Sequence, residues 1–147
     1  MEGDKEKRQI YVVIALIEND KGEILFQKRV DPMIPDADGK WEFPGGRVEY
    51  GESPEDTVRR ETIEEIGCEI ELISMLPLVQ SNIWGRADKK EQHVLVSCYK
   101  ARLISGIPIS TDKKVSRVCW FAKDKIDQLD MLESVRNFIN FYNKSKE

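Results

Sequence analysis

The chain has 147 residues, 40% of them hydrophobic and 34% charged, with a formal net charge of -4 at pH 7. A chain of that length can bury most of its apolar surface in one core without metal or disulfide staples, so a single domain over residues 1–147 is expected. Lys and Arg are scattered through an acidic chain, which argues against a nucleic-acid partner; no apolar stretch reaches membrane length and no signal peptide is visible, which points to the cytoplasm.

Met1 to Arg8 is polar and is expected to fray. Gln9 to Ile17 is a near-continuous apolar run rich in Val and Ile, as in a strand buried on both faces. Asn19-Asp20-Lys21-Gly22 supplies turn residues, and Glu23 to Arg29 reads as the return strand of a hairpin that would form the backbone of the sheet. Asp31 to Lys40 has two prolines, a glycine and no periodicity, so it is a loop long enough to take part in binding. Trp41-Glu42-Phe43 is a short strand, and Pro44-Gly45-Gly46 lets the backbone turn and approach a ligand closely.

A helix follows. Ser53 can cap the first free amides, Pro54 suits the first helical position, Glu55 is an acid in the first turn, and Gly67 is a stop signal. Inside it Glu61, Glu64 and Glu65 stand at i, i+3 and i+4, so their carboxylates share one side beside a stripe of Val58, Thr62 and Ile66. Like charges that close repel unless a cation lies among them. Oxygen ligands suit a hard divalent ion, and Mg²⁺ completes its shell with waters and substrate phosphates.

Glu69 to Gln80 reads as one or two strands broken near Pro77, and Ser81 to Lys90 as a polar loop holding Trp84. Gln92 to Leu103 is a clear strand, Ser105 to Pro108 and Asp112 to Lys114 are loop, and Arg117 to Phe121 is a last strand. Lys123 to Leu129 is a short helix. Met131 to about Asn143 is a second, with Leu132, Val135, Phe138, Ile139 and Tyr142 on one face. Strands and helices without regular βαβ alternation indicate an α/β fold with a mixed sheet between helices. Cys68, Cys98 and Cys119 form no CxxC pair and each sits in an apolar run, so they read as buried thiols of a reducing compartment and zinc is not expected.

The run Gly46, five residues, Glu52, seven residues, Arg60-Glu61, two residues, Glu64-Glu65, one residue, Gly67 resembles the signature box of the Nudix hydrolases. It departs from that pattern at Thr62 and Cys68, where the family carries aliphatic residues. The flanking Trp41-Glu42-Phe43-Pro44 is similar to the MutT branch.

The resemblance implies the Nudix α/β/α sandwich and a Mg²⁺-dependent pyrophosphohydrolase, with Mn²⁺ as the alternative ion. The Gly46 carbonyl, Glu61, Glu64 and Glu65 would be metal ligands. Glu61 would also be the general base, and Arg60 and Glu52 a pair that orients the glutamates. Arg29 would face the substrate phosphates, with Phe43 as a further substrate contact; Trp84 is read as one from its own surroundings, a polar loop between Asn82 and Arg86 with no apolar periodicity to bury it. The family often carries another acid before the last strand, where Lys113, Lys114 and Arg117 stand here; Asp112 is the nearest substitute. The implied substrate is a small nucleotide, most simply a nucleoside triphosphate giving monophosphate and pyrophosphate. ADP-ribose or another sugar nucleotide is the alternative, and an inactive nucleotide sensor the rival from another class. The resemblance also admits a homodimer.

His93, the only histidine, opens an apolar strand with no nucleophile pattern beside it and reads as structural. Trp41 and Trp120 border strands and read as core.

Overall fold

The computed structural model describes residues 6–146. Strand β1 (Lys7–Ile17) alternates between two cores: Val13, Ala15 and Ile17 point to one side, Ile14 and Leu16 to the other, and all are buried. That double burial requires a central position, and β1 has it. It pairs in parallel with β7 (Glu91–Ser105) over its full length and antiparallel with β4 (Gly45–Arg47) on its other edge. The far edge of β7 is shared by β5 (Glu69–Met75) and β6 (Gln80–Gly85), both antiparallel, which completes a mixed sheet.

The turn after β1 forms as expected. Asn19 Oδ1 accepts the amides of Lys21 and Glu23, and Gly22 takes a φ of 78°. The hairpin does not. β2 (Ile24–Arg29) does not pair with β1; an isolated bridge joins Ile24 to Glu18, just past the end of β1, and β2 instead pairs with β3 (Trp41–Glu42) and β8 (Val115–Phe121) in a second, antiparallel sheet. Turn chemistry fixes where a chain reverses; which strand it then joins depends on long-range burial. Lys7 and Arg8, expected in a frayed arm, are the first residues of β1, while residues 1–5 lie outside the described part.

Helix α1 (Pro54–Ile66) covers one face of the mixed sheet through Val58, Thr62 and Ile66, all fully buried against Val13, Ala15 and Ile70. Thr62, a polar residue at an aliphatic position, satisfies its hydroxyl by donating to the Val58 carbonyl at 2.6 Å. A short α2 (Lys123–Ile126) leads to α3 (Glu133–Ser145), whose Val135, Phe138, Ile139 and Tyr142 pack between the sheets on the opposite side. Cys68 and Cys98 are buried, as expected, but Cys119 is half-exposed on β8, and Trp120 is half-buried where Trp41 is core.

Two more expectations are corrected. Gly45 and Gly46 belong to strand β4 rather than a turn, and Trp84 lies on β6 rather than in a loop. In both cases the strand is short and edge-like, with too little apolar alternation to announce itself.

Candidate active site

Local sequence fixes the frame of α1. Ser53 Oγ accepts the Asp56 amide at 3.1 Å, Pro54 occupies the first turn, and Gly67 ends the helix at φ 69° with its amide on the Ile63 carbonyl. A cap of this kind is worth about 1 kcal/mol. With Val58, Thr62 and Ile66 anchored in the core, Glu61 and Glu65 lie against β4.

Glu65 is buried. Its Oε1 accepts the Gly45 amide at 2.9 Å and its Oε2 accepts Gln27 Nε2 at 3.1 Å. Gln27, fully buried on β2, also donates to Glu42 Oε2 at 2.9 Å, and Glu42 Oε1 accepts Arg29 Nη1 at 3.3 Å. Arg29 closes the chain of contacts with an ion pair to Asp31 and a guanidinium 5.3 Å above the Trp84 ring. One connected network therefore runs from α1 through β2 and β3 to β6. Gln27 Oε1 has no partner among the described residues.

The second network centres on Arg60. Its Nε and Nη2 hold the two Glu52 oxygens at 2.7 and 2.9 Å, a bidentate pair, while Nη1 reaches Glu61 at 3.1 Å and Glu64 at 3.2 Å. Glu64 is the exposed member of the three acids, and Glu61 lies beside Gly46. The loop before β8 docks on the same helix: Thr111 donates through its amide to the Glu65 carbonyl and through its hydroxyl to the Glu64 carbonyl. That brings Asp112 and Lys114 to the rim.

Electrostatics separate these acids. The Arg60 hydrogen bonds hold the Glu52 carboxyl down to about 2. Burial pushes Glu61 above the ordinary carboxylate range against the pull of Arg60, and burial with the nearby Glu42 charge pushes Glu65 well above it. Burial likewise raises Glu42, with Arg29 opposing. For Arg29 burial alone would lower the pKa, but Glu42 and Asp31 hold it above the ordinary value.

Glu42, Glu61, Glu65 and Arg29 border a cleft of about 490 Å³ between the two sheets, with an apolar floor from Ile10, Val12, Val94 and Val96. A smaller cavity of about 340 Å³ adjoins it across Trp84 and Leu132. Of the residues singled out in the sequence, Gly46, Glu61, Glu65, Arg29 and Trp84 line the cleft. Phe43 borders it too, but its ring is buried against Phe26 at 5.2 Å and offers almost no surface to a ligand. Glu52 and Arg60 stand behind the glutamates. His93 is outside the cleft lining, bonded to Gln9 at 2.9 Å and Ser81 at 2.8 Å.

The NUDIX domain family model matches residues 7–140, nearly the whole described chain and all of this cleft. The chain belongs to the Nudix family. Its MutT-like character is seen in the relatives. A putative 8-oxo-dGTP diphosphatase 2 of Mycobacterium tuberculosis is 28% identical over 116 residues, 79% of this chain and 76% of that one. A CTP pyrophosphohydrolase of Escherichia coli K12 is 40% identical over 79 residues, 54% of this chain and 56% of that one. The solved MutT protein of Methanosarcina mazei Go1 superposes with a TM-score of 0.74 at 26% identity, covering 98% of this chain and all of that one. The Nudix fold is thus shared over nearly all of the described residues.

Nudix hydrolases generally use a divalent metal, and the residues here fit one. The available donors are all oxygens, and the missing side chain of Gly46 lets the Glu61 carboxylate lie directly against β4, where a Cβ would stand 2.4 Å from Glu61 Cδ. As they stand, Glu61 and Glu64 turn to Arg60 and Glu65 to Gly45 and Gln27, so among the described residues no three such groups yet enclose one ion. In this Nudix chain Gln27 and Glu42 went unnoticed in the sequence. The only signal was a glutamine inside the apolar run of β2 and an acid between two core aromatics.

Among the described residues no helix is long and apolar enough to cross a membrane.

Proposed function

We propose that this single-domain Nudix hydrolase converts nucleoside triphosphates to monophosphates and pyrophosphate with Mg²⁺, Mn²⁺ substituting. The observation that carries the reading is the meeting of Glu61 and Glu65 with Gly45 and Gly46 at one end of a cleft whose other wall holds Arg29 and Trp84. Relatives named for hydrolysis of 8-oxo-dGTP and CTP support it.

The Gly46 carbonyl, Glu61, Glu64 and Glu65 would hold the ion, which would supply charge neutralisation at the phosphates and a more acidic water. Glu61 takes the proton of that water. The water oxygen bonds to phosphorus as the bridging P–O bond breaks, and the bonding pair leaves with the departing phosphate oxygen. Arg29 exchanges part of its pairing with Asp31 and Glu42 for the substrate phosphates. Arg60, locked by Glu52, fixes the directions of Glu61 and Glu64.

The test is a panel of nucleoside triphosphates and ADP-ribose with Mg²⁺, scored for phosphate and pyrophosphate separately. Pyrophosphate from triphosphates is expected. Turnover of ADP-ribose alone reassigns the substrate, and no turnover of any member leaves a nucleotide sensor.

A further inference from the structure

Beyond Trp84 the floor of the cleft ends in polar residues. Strand pairing puts Trp84 opposite Gln92, and Gln92 opposite Arg8 of β1, with the row Ile10–Val94 next along. Gln92 is only 7% exposed, yet it lines the cleft. Its Oε1 accepts Arg86 Nη1 at 3.3 Å, and Arg86 is itself clamped by Asp88, through Nε at 3.1 Å and Nη2 at 3.0 Å. Asp88 is fixed in turn by the Lys90 amide.

A guanidinium only donates, so the amide oxygen of Gln92 must face Arg86, and its Nε2 is left without a partner among the described residues. Arg86 has five N–H groups and commits three of them here. The relay therefore presents donors to the cleft, over an apolar floor of Ile10 and Val94 and beside the Trp84 indole.

Resting on the nucleotide reading above, we propose that Gln92 and Arg86 read the nucleobase and select an edge carrying two neighbouring acceptors. Guanine offers O6 and N7 and cytosine O2 and N3, whereas adenine sets its N6 amino donor beside N7 and uracil separates its two oxygens by an N–H. Oxidation of guanine at C8 turns N7 into a donor and spoils the pair.

Calorimetric titration of the Mg²⁺-loaded protein with the α,β-methylene analogues of GTP, CTP, ATP and UTP tests this, alongside pyrophosphate release from the four parent nucleotides. The guanine or the cytosine analogue should bind at least tenfold tighter than both others, and which of the two does so identifies the base. Gln92→Glu keeps a partner for Arg86 but replaces the free donor by an acceptor; it should weaken the preferred analogue at least tenfold against the adenine one. Four wild-type affinities within threefold of one another, no binding of any analogue, or a preference unchanged in Gln92→Glu would overturn the proposal. Base-selective binding without pyrophosphate release supports the reader and removes the hydrolase reading. Pyrophosphate release at equal kcat/KM from all four does the reverse.

Discussion

Gly46 lies so close to Glu61 that a Cβ there would stand 2.4 Å from the carboxyl carbon, while its neighbour Gly45 has backbone, not side chain, at that distance: Val13 O at 2.1 Å and Ile14 Cα at 2.6 Å. The two glycines therefore answer to different constraints. Gly46→Ala pushes aside a flexible side chain and should lower turnover ~10²-fold, the order expected when a reacting group is misplaced by about 1 Å, with little change in stability. Gly45→Ala meets fixed backbone at a φ of 155° and should cost about 1–3 kcal/mol of stability or more. Urea denaturation and steady-state kinetics on both variants check the split; equal effects on stability would contradict it.

Glu64→Gln and Glu65→Gln should each reduce turnover at least ~10²-fold while the fold persists, since each removes charge without creating a cavity. Mn²⁺ binding followed by electron paramagnetic resonance should weaken in both. Activity within threefold of wild type in both variants ends the metal assignment.

The acids also set a pH signature for the metal-free protein. Glu65 has a folded pKa well above its ordinary 4.5, raised by burial and Glu42, so its charged form destabilises the fold. Native Glu65 takes up a proton before the unfolded chain does, and stability should rise as pH falls from neutral toward about 4.5. Glu52, held down to about 2 by Arg60, has the opposite sign: its contribution is present above about 4.5 and is lost between there and about 2. Calorimetric melting in chelator should show a maximum on the acid side of neutrality. A flat profile between pH 8 and 5 that Glu65→Gln leaves unaltered would contradict the assignment.

Trp84→Ala should raise KM for the nucleotide, because Trp84 lines the cleft and stacks under Arg29. Trp84 is half-buried on an edge strand, so a stability loss of about 1 kcal/mol is expected, well short of the ~3–5 kcal/mol for emptying a core aromatic site. A sharp fall in melting temperature with KM unchanged would make it a core residue only.

Discrimination for 8-oxo-dGTP over dGTP should stay below about a hundredfold, as in sites whose polar groups do not match the oxidised edge. Met131 and Leu132, on the segment after the last strand, are buried apolar residues and offer no polar partner to an altered base edge. Asn137 is already bonded to Gln80 at 3.1 Å, which leaves Asn82, on the smaller cavity, as the nearest alternative. A preference of a thousandfold or more, abolished by Asn82→Ala or Asn137→Ala, would refute this.

What the sequence by itself determined is helical. Ser53, Pro54 and Gly67 announced α1, and the stripes Val58–Thr62–Ile66 and Val135–Phe138–Ile139–Tyr142 are buried as their spacing requires. Caps and i, i+4 neighbours are encoded within a few residues, so a local pattern is enough to read them. The spacing of Glu61, Glu64 and Glu65 was legible for the same reason, though not that Glu65 would be buried and Glu64 exposed. Only tertiary structure decided that β2 leaves β1 for a second sheet, that Trp84 sits on a strand, and that Gln27 and Glu42 join Glu65 to Arg29. Each depends on partners far along the chain, Glu65 lying 38 residues from Gln27 and Trp84 stacking on Arg29, and pairing at that range is chosen by which apolar faces must be covered together.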